Sequence, residues 1–307
     1  MKPLALITAL ALAICSCNNL NDLRPTDPGK EIPEAAVKVV KDKFPKAEEL
    51  VFKPILQDKI WEVKLKSESD RYSSLVDYGK MWETFKVSVD GVPAVLQESL
   101  QKTAFGNGTL SAYTTAFFAA SAKNKLMYHF NGENYSFEWA GVNPSSNSWA
   151  SFDPALYRIT TYERADLPAF VSDTIRGIPN MNFVTAQTWV RLDYSKLYYV
   201  IGSNNTQSER VSMLFDEKGK LRWSSTAFTE PGVTGVPSNL ETVPAPIQQY
   251  VASLPELAGF AYERKLVSNY RGLTSYYITL TANTGRCELY FDQDFNVLNK
   301  KYAVILY

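Results

Sequence analysis

The sequence predicts an α+β protein of four tandem units, each one helix packed on a roughly four-stranded antiparallel sheet. Two observations carry that prediction. The first is self-similarity: Pro168, Pro179, Tyr194, Arg210 and Phe215-Asp216 recur, 76 residues on, as Pro244, Pro255, Tyr270, Arg286 and Phe291-Asp292. Looser copies open at Ile32-Pro33 and Val92-Pro93. The second is a change of period inside each copy, from helical spacing to strict alternation.

Each copy opens on an aliphatic residue and a proline: Ile32-Pro33, Val92-Pro93, Leu167-Pro168, Val243-Pro244. Proline is tolerated in a first helical turn, where its missing N–H had no partner. Val171, Thr174, Ile175 and Ile178, then Ile247, Tyr250, Val251 and Leu254, fall on one stripe of a helix. A second proline (Pro45, Pro179 or Pro255) ends three of the helices, because the residue before proline is pushed out of the α region. Alternation follows: Tyr276, Ile278 and Leu280, then Cys287, Leu289 and Phe291, are separated by more polar neighbours. A period of two predicts a sheet with one covered and one open face. The turns Glu217-Lys218-Gly219-Lys220 and Gln293-Asp294-Phe295-Asn296 return the chain for a last strand.

Residues 1–17 read as an export signal, with Lys2 ahead of an apolar run too short to span a bilayer as a stable helix. Ile14-Cys15-Ser16-Cys17 resembles a bacterial lipobox and marks Cys17 for lipidation; two or more acyl chains suffice for lasting anchorage. Residues 18–31, polar and holding Pro25, Pro28 and Gly29, read as a flexible tether. Unit 1 then covers 32–91, with strands expected near Glu49–Lys53, Ile60–Lys66 and Arg71–Val76. Unit 2, 92–166, is divergent: Pro93 to Asp153 is 60 residues, against 48 for Pro168 to Asp216 and for Pro244 to Asp292. Its extra residues are expected in Gly132–Ser148, an added loop where function could lie. Unit 3 with its linker covers 167–242, and unit 4 covers 243–307. Units of this size bury little surface and leave sheet edges open, so neighbouring copies are expected to pair side by side. Their helices would share one face, and the opposite face would be open and concave.

The unit resembles the PepSY-like, beta-lactamase-inhibitor-like family of secreted and lipid-anchored proteins in Bacteroidetes-type bacteria. The resemblance is carried by the Pro-started and Pro-ended helix, the strand Ile60-Trp61-Glu62-Val63-Lys64-Leu65 and the turn Asp77-Tyr78-Gly79-Lys80, with Asp216-Glu217-Lys218-Gly219-Lys220 a longer version. It implies a non-catalytic, inhibitor-like binding module that uses the open faces of its sheets on a protein partner. A carbohydrate-binding cell-surface lipoprotein is the alternative. Either would be an outer membrane lipoprotein, periplasmic or surface-displayed, held to the membrane through Cys17.

The remaining chemistry points the same way. A formal net charge of zero with no basic run excludes nucleic acid as a partner. A single histidine, His129, excludes a His-rich metal site and leaves a triad resting on one residue. Cys287 aligns with Val211 and reads as a small apolar core residue. Asp292-Gln293-Asp294 reads as an aspartate-capped turn rather than a calcium loop, since Lys218 stands in the matching copy. No catalytic residue, metal or cofactor is therefore assigned. Counting parity from the Phe-Asp steps places Trp149, Trp189, Tyr277 and Tyr290 away from the helices, with Arg210 and Arg286. Aromatics with arginine suit protein hot spots, and flat rings suit sugars. A hydrolase would instead need two carboxylates facing each other across a cleft.

Overall fold

The computed structural model describes residues 32–118, 123–141, 148–204, 210–225, 238–270 and 272–306. Among the described residues strands hold 56 % and helices 16 %, so they form a sheet structure with helices laid on it. In chain order the elements are α1 (Glu34–Lys43), β1 (Ala47–Leu56), β2 (Ile60–Ser67), β3 (Asp70–Val76), β4 (Met81–Val87) and α2 (Ala94–Gln101). Next come β5 (Thr109–Phe118), β6 (Asn124–Phe130), β7 (Glu133–Trp139), β8 (Ser148–Asp153) and β9 (Ala155–Thr161). α3 (Ala169–Arg176) leads into β10 (Met181–Arg191), β11 (Lys196–Asn204), β12 (Arg210–Asp216) and β13 (Leu221–Ser225). The two-residue β14 (Ser238–Asn239) precedes α4 (Ala245–Ala252), β15 (Ala261–Tyr270), β16 (Leu273–Ala282), β17 (Gly285–Phe291) and β18 (Val297–Leu306).

Pro33, Pro93, Pro168 and Pro244 each occupy the N-cap of a helix, one step before the first turn where the sequence placed them. Their carbonyls accept the first helical amides, from Ala36, Leu96, Val171 and Gln248. Fixed φ is the useful property here: the cap conformation is preset at no entropic cost.

The expectation of four helix-on-sheet units is corrected at the level of the sheets. The described residues form two large antiparallel sheets, not four small ones. One runs β1-β2-β3-β4-β5-β6-β7-β8-β18-β17-β16-β15-β14, and the other runs β13-β12-β11-β10-β9. The seams show why. β4 bonds to β5 (Phe85 opposite Ala116), and β8 bonds to β18 (Ala150 opposite Val304). β9 leaves the large sheet and pairs with β10 (Ile159 opposite Thr188). A sheet edge is a row of unsatisfied backbone groups, so edges of similar strands find one another unless something blocks them. The sequence does not encode which edges meet, and here units 2 and 4 join although unit 3 lies between them in the chain.

Helices cover the outer face of each sheet. Leu96 and Leu100 of α2 and Ile247 of α4 share one core with Phe137, Phe152, Leu289, Phe291 and Tyr302. Ala36 and Val40 of α1 pack on Phe52, Val63 and Val76. Val171 and Ile175 of α3 pack on Val200, Met213 and Phe215 of the small sheet. The helix-free faces of the two sheets pack on each other. At one end Ile55, Ile60 and Leu75 meet Ile159 and Val190; at the other, Leu298, Tyr277 and Tyr290 meet Trp189, Leu197, Leu214 and Trp223. β2 and β17 lie eight strand steps apart, about 38 Å if flat, against roughly 19 Å for the width of five strands. The large sheet therefore curls around the small one. The face expected to be open and concave is concave, but much of it is filled by the chain itself.

Candidate binding cleft between the two sheets

An aspartate at the end of β3, β8, β12 and β17 organises the turn that follows each strand. Asp77 accepts from the amides of Gly79 and Lys80, and Asp153 from that of Ala155. Asp216 accepts from Lys218 and Lys220, and Asp292 from Asp294 and Asn296. The second carboxylate oxygen reaches a donor on the strand that follows: Trp82 Nε1 for Asp77 at 2.8 Å, and Arg158 for Asp153 at 2.7 Å. Between units 3 and 4 one side chain serves both copies. Arg222 lies 2.6 Å from Asp292 and 3.6 Å from Asp216. Burial works against ionisation of Asp292, but the Asn296 backbone, the Asn296 side chain and Arg222 outweigh it and hold its pKa below the ordinary carboxylate value.

That latch pins the start of β13 over the large sheet. The next residues fasten it further. Trp223 Nε1 donates to the Tyr276 carbonyl at 3.1 Å. Ser275 Oγ donates to the Ser224 carbonyl at 3.0 Å and accepts from the Ser224 amide at 3.2 Å. β13 is the edge strand of the small sheet, so these bonds satisfy part of an edge that would otherwise be open. Beside it, over β15 to β17, a cleft of about 240 Å³ remains. It is lined by Tyr199, Trp223, Tyr277 and Tyr290, by Leu266 and Arg264, and by Ser224, Ser225, Ser268 and Ser275, with no carboxylate among them. The rings are set in a herringbone. Tyr290 meets Trp223 at 5.0 Å and 67°, and Tyr277 at 4.9 Å and 61°. Tyr199 lies nearly parallel to Trp189, 5.1 Å away. Burial pushes the Tyr199 and Tyr290 phenols up, and for Tyr290 the nearby Tyr199 and Tyr277 add to the effect, so both are neutral hydroxyls.

Of the residues selected from the sequence, Trp189, Tyr277 and Tyr290 come together in this seam, and Tyr277 and Tyr290 line the cleft. They do point away from the helices, but they are not on an open face: Trp189 is buried against Ala155 and Leu298. Trp149 is separate, 52 % exposed on β8. Arg286 lies on the same uncovered strip, between Glu263 and Glu288 at 3.6 and 3.5 Å. Arg210 is exposed at the far end of β12 and joins neither group. Sequence reasoning missed Tyr199, Trp223 and Arg264. Parity could have found Trp223, which stands two residues into β13, opposite Leu214. Residues 142–147 of the insert expected in unit 2 lie outside the described residues, and Glu133–Trp139 is an ordinary strand. The signal and tether, including Cys17, also lie outside them.

His129 Nδ1 sits 2.9 Å from Asn134 Oδ1 across the β6–β7 hairpin, a solvent-side pair. Cys287 is fully buried in the shared core, where burial pushes its thiol up and makes it unreactive. Among the described residues no group of His, Cys, Asp and Glu is placed to hold a metal ion, and no helix is long and apolar enough to cross a membrane. Compared with known proteins, the chain matches no family model and no curated sequence. The PepSY-like resemblance therefore rests on its motifs alone.

Proposed function

We propose that this protein is a non-catalytic, lipid-anchored extracytoplasmic binding protein that holds its ligand in the cleft where β13 overhangs the large sheet. One observation supports the reading above the others: four aromatic rings, among them the buried phenols Tyr199 and Tyr290, and an arginine converge on a concavity that no carboxylate lines among the described residues. Convergent rings with hydrogen-bonding rims suit a small cyclic ligand better than a protein surface. The glycan alternative thus takes precedence over the protein-partner reading. Lipidation at Cys17 and the tether of 18–31 would present the cleft away from an outer membrane.

The test uses tryptophan fluorescence of the mature chain, titrated with a panel of oligosaccharides. A saturable change is expected with at least one glycan, and Trp223→Phe should remove it while leaving the fold's circular dichroism intact. A flat response across the panel would sink the reading. The protein-partner reading keeps one support of its own, the exposure of Trp149 on the same sheet face as Arg286. If a partner protein docks there, Trp149→Ala will weaken its retention and Trp223→Phe will not. The opposite pattern would return the partner to the cleft.

A further inference from the structure

We infer that the cleft takes one negatively charged sugar residue, a uronic acid unit of a polysaccharide. This rests on the binding-protein reading above and narrows it to a ligand class. Three features of the lining lead there. Size comes first: about 240 Å³ is below the ~300–1,000 Å³ that encloses a drug-sized ligand, so one ring fits with its chain leaving through the mouth. Second is hydrogen bonding. No hydrogen bond within the protein engages the Tyr277 and Tyr290 hydroxyls among the described residues, and both rings line the cleft. A purely apolar ligand would leave such groups dry and unpaired at a cost, whereas a ring carrying several hydroxyls would satisfy them. The serines contribute less. Ser275 is committed to the Ser224 backbone, and Ser225 Oγ accepts from the Ser212 amide.

The third feature is charge. Arg264 is exposed at the mouth and forms no ion pair among the described residues. Two other arginines behave differently: Arg286 on the large sheet is engaged by Glu263 and Glu288, and Arg222 on β13 of the small sheet by Asp216 and Asp292. Among the described residues no carboxylate lines the cleft; Glu288, close enough to raise the Tyr199 and Tyr290 phenols, is offset by Arg286 at 3.5 Å, and Glu263 also faces Arg286. The buried phenols Tyr199 and Tyr290 stay neutral and act as donors. A guanidinium with its fork unoccupied matches a planar carboxylate in two parallel hydrogen bonds, and the phenol rims take the sugar hydroxyls. A sugar acid supplies the carboxylate and the hydroxyls on one ring, and its C–H face suits the Trp223 and Tyr199 rings.

The experiment is isothermal titration of the mature chain with a galacturonic acid trisaccharide, its methyl-esterified neutral counterpart, and benzoate. The acid should bind, and the ester about ten-fold more weakly, the loss expected of one charge-assisted pair. Arg264→Gln should bring the acid down to the ester's affinity without changing the ester. It should also abolish the salt dependence of acid binding. Equal binding of acid and ester overturns the anionic assignment and leaves the binding-protein reading standing. Benzoate binding without sugar-acid binding overturns the sugar and keeps only an anion site. Failure of all three, in a chain whose fluorescence still responds to another glycan, overturns this inference alone. Failure of all three with no response to any glycan overturns both.

Discussion

Units 3 and 4 are the closest pair of copies in the chain, yet they end up in different sheets. Their helices match at the same 76-residue offset, 169–176 against 245–252, and so do their Phe-Asp steps. The difference lies in the last strand. β13, described over Leu221–Ser225, is paired on one side to β12, and its other edge rests against β16 through side chains and isolated bonds. β18 is ten residues long and is paired on both sides, to β17 and to β8. Its Tyr302, Val304 and Leu306 extend the helix-side core into that of unit 2. Among the described residues β13 pairs with β12 alone, and its other edge borders the cleft. The closing strand thus decides where each unit sits. Paired on one side it leaves the edge that borders the cleft, and paired on both sides it erases that edge.

The comparison can be broken at the twin phenylalanines. Phe215 and Phe291 are both fully buried, but Phe215 belongs to the core of unit 3 and Phe291 to the core shared by units 2 and 4. Truncating either to alanine should cost about 3–5 kcal/mol. The consequences should differ in extent. Hydrogen exchange of Phe215→Ala should rise over β10 to β13 with the large sheet still protected. Phe291→Ala should expose β5 to β8 and β15 to β18 together. If both variants opened the same strands, the two cores would be one cooperative unit.

A smaller loss is expected at Arg222, where the copies are latched. Arg222→Met leaves the almost completely buried Asp292 with only its turn partners, a loss of roughly 2–3 kcal/mol at neutral pH, since Asn296 still donates to it. The sign of the pH effect follows from the depressed pKa of Asp292. Its contribution is complete above the ordinary carboxylate value of about 4 and fades as pH falls through the lower, folded-state value. Urea midpoints of wild type and variant should therefore differ most at pH 7 and converge toward pH 3. A gap that stays constant with pH would mean that Arg222 acts through packing alone.

What the sequence showed and what it hid divide along the same line. The prolines that cap the helices and the aspartates that close the turns act on backbone within a few residues, so local pattern was enough to find them. Trp189, Tyr277 and Tyr290 were correctly assigned to the side away from the helices, because alternation fixes parity. That this side is covered was not legible: an aromatic residue on a bare face and one under a second sheet obey the same period of two. Nor was the joining of β8 to β18 legible, since every strand edge offers the same backbone groups. Arg264 carries no local signal at all. It stands out only once its neighbours Arg222 and Arg286 are seen to be occupied.

The smallest effect is expected in the turn after the Phe-Asp step, where the copies hold different residues in one backbone conformation. Gly219 has φ +81°, and a Cβ there would come within 2.6 Å of Phe170 Cδ2 on α3. Phe295, its counterpart 76 residues on, has φ 62° and stacks its ring on Tyr276 at 5.3 Å. Gly219→Ala should cost about 1–2 kcal/mol, from left-handed strain and from the clash with a helix residue. Phe295→Gly removes strain of roughly 1–2 kcal/mol but also removes a ring contact of roughly 0.5–1.5 kcal/mol and some apolar burial. The opposing effects should leave its unfolding free energy in urea within about 1 kcal/mol of wild type. A large destabilisation would show that the Phe295 ring, beside Tyr276 whose carbonyl receives Trp223, helps hold β13 over the cleft. In that case the variant should also weaken the fluorescence response to ligand, which a turn with no part in the seam would not do.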